Sequence, residues 1–192
     1  MSLPYRILFS VLLLAALGFG LGPWLTMKQI ANAATGNDSQ SWPALVRTEA
    51  MQDYAGQILT ALLDLKMQAD LKKNPGDAMR DNLQGRTEVK ANAESLTQPQ
   101  GLRHLLCGEL RIDVAPSPAE ADSCWALRGT IRWESPMQAR AVFSHPQTHW
   151  QSSLILRRTG LFSWRAVDIE LPVDAIIDRY AASLGLKEKS SI

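Results

Sequence analysis

Between Arg6 and Lys28 the chain carries no charge, and the 19 residues from Ile7 to Leu25 set only Ser10, three glycines and Pro23 among apolar side chains. A helix of that length rises roughly 28 Å, about the thickness of a bilayer's hydrocarbon core. A buried core helix of the same length would show a polar stripe. The pattern therefore predicts a membrane-spanning helix over residues 7–25. The helical period continues through Thr26 to Thr35 and stops at Gly36, Asn37 and Asp38, ordinary helix terminators.

A second helix starts with Ser41 as cap and Pro43 in its first turn, where a missing N–H costs nothing. Met51, Tyr54, Ile58, Leu62 and Leu65 recur at helical spacing along it, and Asn74, Pro75 and Gly76 close it. Residues 77–95 are polar and weakly periodic, with Gly85 in the middle, and predict a weak helix. Pro99 opens a short helix through Leu102, Leu105, Leu106 and Leu110, followed by a loop at Pro116 and Pro118.

From Cys124 onward the period becomes two. Trp125, Leu127, Ile131 and Trp133 face one way, while Arg128, Thr130, Arg132 and Glu134 face the other, the pattern of a strand with one wet face. Ala139, Ala141 and Phe143 mark a second strand, Trp150, Leu154 and Leu156 a third. A fourth sets Val167, Ile169 and Leu171 against Asp168 and Glu170. A last helix carries Ile176, Ile177, Tyr180 and Leu184. The predicted fold class is α+β: an N-terminal transmembrane helix, then helices packed on one face of a four-stranded antiparallel sheet, then a C-terminal helix. This element order is that of the nuclear-transport-factor-like or cystatin-like cone. The organisation expected is a signal-anchor over residues 1–25, one domain over 26–185 and a polar tail over 186–192.

Composition changes this picture little. In a chain of 192 residues, 46% hydrophobic and 20% charged, one domain with its own core is the natural size. A formal net charge of +1 gives no broad field to collect nucleic acid. The leader also fits a cleavable signal, with a small-residue site at Ala31 to Ala33. Cleavage there would remove Trp24, Met27, Ile30 and Ala34, which read as the first turns of the domain, so retention is expected. Arg6 before the span and Lys28 after it favour export of the domain. The location implied is the bacterial inner membrane, with the lipid bilayer met through residues 7–25 and the domain on the periplasmic side. Secretion after cleavage is the alternative.

Cys107 and Cys124 are the only cysteines. In an exported domain they could close a loop of about 17 residues, stabilising by on the order of 3 kcal/mol, or serve as two small buried hydrophobes. Spacing leaves both readings open. His104, His145 and His149 do not form a zinc set with them, and no metal, cofactor or catalytic set is expected. Arg128, Arg132 and Arg140 share the wet face of the sheet and could receive an anionic ligand or lipid headgroup. Glu134, Asp168 and Glu170 fall on the same face, and cross-strand ion pairs account for those arginines more simply.

The run from Arg158 to Pro172, RTGLFSWRAVDIELP, resembles the terminal segment of an uncharacterised bacterial family, domain of unknown function 2939. Similar too are the leading membrane segment, the helix stop at Gly36 to Asp38, a helix around Leu45 and Val46, and the stretch from Thr97 to Leu102. The resemblance covers residues 22–172, and the last segment is its specific part. Trp42, Pro43 and Ala44 depart from the family, whose members carry an aspartate and an aromatic before the proline. The resemblance implies a membrane anchor and brings no activity or catalytic residue. The function expected is a noncatalytic envelope module that binds an envelope protein, a peptide or a lipid. The alternative is a small pocket enzyme with Asp53 or Tyr54 as acid or base.

Overall fold

The computed structural model describes residues 3–36, 38–106, 129–144 and 150–186, with side chains from residue 20 onward. Helix α1 (Leu3–Gly36) runs unbroken through Pro23. Pro23, Thr26, Ile30, Ala33 and Ala34 form a buried stripe along its second half, spaced three or four residues apart as one helix face requires. Among the described residues no helix is long and apolar enough to cross a membrane, and residues 7–19 of the expected span lie among those whose side chains are not described.

The single helix predicted from Ser41 to Asn74 is in fact two, α2 (Trp42–Leu45) and α3 (Thr48–Leu71). Between them Val46 and Arg47 are extended. Val46 makes a parallel bridge to Ala166, and the Arg47 N–H donates to the Ala166 carbonyl at 2.8 Å. A sheet edge needs a partner for its unpaired backbone groups, and a β-branched residue suits the extended form. Tertiary pairing therefore overrides the helical period at this point.

Helix α4 (Pro75–Leu96) is a full helix rather than a weak one. Asn74 caps it, its side chain accepting from the Asp77 N–H, with Pro75 in the first turn. Its polar sequence is stabilised by pairing with α3. Asn82 donates to the Leu63 carbonyl at 3.3 Å, and Arg86 bonds both Asn82 at 2.9 Å and Asp64 at 2.5 Å. The Leu63 side chain lies over Gly85. Helix α5 (Pro99–Leu106) buries Leu102, Leu105 and Leu106.

Strands β1 (Thr130–Ser135), β2 (Gln138–Ser144), β3 (Gln151–Arg158) and β4 (Trp164–Glu170) form an antiparallel sheet in sequential order. The architecture is α+β, with helices on one sheet face, as predicted. Ala139, Ala141 and Ala166 alternate with Leu154 and Leu156 on that face, all fully buried. The small side chains let Met51, Ile58 and Leu62 of α3 close onto the sheet, joined by Trp42, Val46 and the α5 leucines in one core.

The alternation predicted for the fourth strand is broken. Leu156 pairs with Ala166 and Ile155 with Asp168, which leaves Val167 as the extra residue of a β-bulge. The bulge turns Trp164 and Ala166 onto the core face together with Ile169, and Val167 is only half-buried. One inserted residue reverses side-chain direction on either side of it. The opposite face is not uniformly wet either, because Val142 and Ile155 are buried at its centre. Helix α6 (Val173–Ser183) follows and packs on α3.

Candidate functional site

The sheet arginines meet carboxylates. Arg132 and Arg140 are directly opposite in the β1–β2 ladder, where two like charges repel. Arg140 is half-buried, and its Nε donates to Glu134 Oε1 at 2.7 Å while Nη1 donates to Glu170 Oε2. Gln138 adds a bond to the other Glu134 oxygen at 2.5 Å. The Arg140 and Gln138 hydrogen bonds hold the Glu134 carboxyl below its ordinary value. Glu134 and Glu170 in turn push the Arg140 pKa up. The Arg140 guanidinium is therefore committed to two carboxylates within the sheet. Arg132 is exposed. Asp168 accepts from the neighbouring Ile169 N–H at 2.8 Å. Arg128, Cys107, Cys124, His145 and His149 lie outside the described residues, and His104 is half-buried on α5.

Asp53 and Tyr54 part company. Tyr54 packs against the core, whereas Asp53 is exposed in an open groove of about 690 Å³ between α3 and α4. Arg86, Lys90, Asp64 and Glu94 give that groove mixed charge. The space between α3 and the sheet is occupied by apolar side chains. Among the described residues the carboxyls whose pKa departs from the ordinary value, Asp38, Glu49 and Glu134, are all lowered. A buried acid catalyst has the opposite sign.

A third region was given no role by the sequence. The β3–β4 turn is closed by Thr159 and Gly160 N–H groups donating to the Ser163 carbonyl, and by Arg158 donating to the Gly160 and Leu161 carbonyls. It lies beside α1 at Gly22. A Cβ at Gly22 would stand 2.4 Å from Trp164 Nε1 and 3.5 Å from the Phe162 carbonyl, so this glycine is the notch that receives the tryptophan ring. Trp133 meets the same ring edge-on at 5.3 Å. The β1–β2 turn is tied alongside, since the Arg158 N–H donates to the Met137 carbonyl at 2.9 Å. Leu161, Phe162 and Met137 are exposed at this end of the sheet. Apolar residues in a turn stabilised by an arginine were the available signal for this site.

Residues 12–105 match the family model described as "Protein of unknown function (DUF2939)". The chain carries a DUF2939 domain. No curated protein and no solved structure matches it. The match rests on the N-terminal stretch and ends before the run from Arg158 to Pro172, which the sequence had pointed to as the specific part. Within the DUF2939 stretch the segment from Thr97 to Leu102 has a clear physical task. Thr97 is fully buried. Its carbonyl accepts from Trp42 Nε1 at 3.0 Å, and its hydroxyl accepts from Gln52 and donates to the Glu94 carbonyl. Pro99 and Leu102 are buried just beyond it. A Cβ at Gly101 would fall 2.1 Å from the Ser95 carbonyl oxygen, so only glycine lets α5 turn this tightly onto the end of α4.

Proposed function

We propose that this protein is a bacterial inner-membrane protein whose DUF2939 domain is held on the periplasmic side by residues 7–25 and acts there as a noncatalytic binding or accessory module. The observation that carries the reading is the continuity of α1, one helix from Leu3 to Gly36 whose first part holds the uncharged apolar run and whose second part is domain core. The same helix supports retention of the leader. Cutting at Ala31 to Ala33 would strip Pro23, Thr26 and Ile30 from the buried stripe, each large apolar side chain contributing about 1.5–3 kcal/mol. The cone-like form is part of the proposal. Bulges at β1 and β4 add twist to a sheet, and α3 packs on its core face. The noncatalytic part draws on the filled interior and on carboxylates already committed to arginines.

Tagged full-length protein in bacterial cells should stay with membranes through alkaline carbonate washing, keep its full mass, and be digested by protease once the outer membrane is opened. Recovery of the uncut chain in the aqueous fraction would end the anchored reading. Affinity capture from solubilised membranes tests the module itself, with one stoichiometric companion as the expected result. Substrate turnover abolished by Asp53→Asn would replace it with the pocket enzyme.

A further inference from the structure

We propose that the domain rests directly on the bilayer, with the β3–β4 and β1–β2 turns dipping into the lipid interface beside α1. The inference depends on the anchored reading and adds a second contact to it. Its basis is an overlap: the uncharged run reaches Leu25 and beyond, yet docking on the domain already begins at Gly22 and Pro23. The last turn of the span is therefore also the turn that touches Trp164 and the Phe162 backbone, and the hairpin must lie at that depth.

The surface there is what a lipid interface selects. Leu161 is 69% exposed, Phe162 50% and Met137 58%, while Leu21, Trp24 and Leu25 are each more than two-fifths exposed on α1. Apolar side chains gathered at one end of a domain mark an interaction surface. The turn's carbonyls at Gly160, Leu161 and Ser163 are satisfied internally, as entry toward hydrocarbon requires. One step behind the tip lies a cationic collar. Arg157 is exposed directly across from Arg165, whose guanidinium turns away to the Pro43 and Val46 carbonyls, and Arg158 beside it closes the turn. An exposed arginine at this level gains beside anionic headgroups. Lys28 Nζ sits 4.7 Å over the Trp24 ring, the pairing of an aromatic at headgroup level with a cation just outside it.

The test uses the full chain in vesicles of phosphatidylethanolamine and phosphatidylglycerol, with a photo-crosslinking phenylalanine analogue placed in turn at positions 161, 137 and 83. Leu83 is as exposed as Leu161 but lies on α4. Lipid adducts at 161 and 137 and none at 83 are expected. The pair Leu161→Glu and Phe162→Glu should abolish the adduct at 137 while flotation with the vesicles and the thermal midpoint stay unchanged. Adducts at 161 no greater than at 83, or adducts to a second protein chain instead of lipid, overturn the proposal even when the protein floats. Failure to float overturns the anchored reading itself.

Discussion

At position 140 one guanidinium answers two carboxylates, and the arrangement resolves a local conflict. Arg132 and Arg140 face each other across β1 and β2, and Glu134 and Glu170 supply the negative charge that lets them do so. The depressed Glu134 pKa, due first to Arg140 and then to Gln138, fixes the sign of the pH response. A carboxyl whose folded pKa lies below its unfolded value stabilises the fold above the unfolded value and loses that contribution as pH falls through the folded one. Glu134→Gln should therefore lower the thermal midpoint at neutral pH, and the difference from wild type should begin to shrink as pH falls past the ordinary carboxylate value of 4.5 and vanish only below the depressed folded value, as followed by circular dichroism. A constant difference down to strong acid would place the effect elsewhere. The sequence had already put these arginines and glutamates on one face, because period two fixes which side chains are neighbours. It could not say that Arg140 would be the one doubly bound, since that depends on the strand register.

Among the elements, the α4–α5 corner is the most tightly determined. Replacing Gly101 with alanine drives a Cβ into the backbone of Ser95 and Leu96, which cannot yield as a side-chain tip can. A loss of about 1–3 kcal/mol is expected from urea unfolding. The same change at Gly76, where a Cβ meets nothing nearer than 3.8 Å, should be neutral or stabilising by up to about 1 kcal/mol. Helices α1, α5 and α6 were readable from their apolar spacing. Helix α4 was readable only weakly, because its stability comes from Asn82 and Arg86 reaching across to α3, and a polar stretch reveals no such partner. The break at Val46 and the bulge at Val167 were invisible for a related reason. Neither carries a glycine or proline, and both arise where the α2–α3 link pairs with the edge of β4.

Across the whole molecule, α1 is the element that joins leader to domain. Removing residues 1–19 should leave a cooperative thermal unfolding transition, because the buried stripe begins at Gly22 and Pro23. Removing residues 1–34 should abolish it. Loss of Ile30 alone is worth about 2–5 kcal/mol, and the whole stripe exceeds a margin of about 5–15 kcal/mol. A folded domain lacking residues 1–34 would show that α1 merely lies against it.

The sequence by itself determined the α+β class, the order of helices before strands, the uncharged run over residues 7–25 and most core positions. These depend on composition and on periods of 3.6 and 2, which are local properties of a chain. Only the tertiary structure decided that α1 docks from Gly22, that Val46 leaves the helix to pair with Ala166, and that the turns carrying Met137, Leu161 and Phe162 gather at the end of the sheet where the apolar run enters. Each is a contact between residues far apart in sequence, and such contacts depend on register, close approach and edge pairing, which no local pattern encodes.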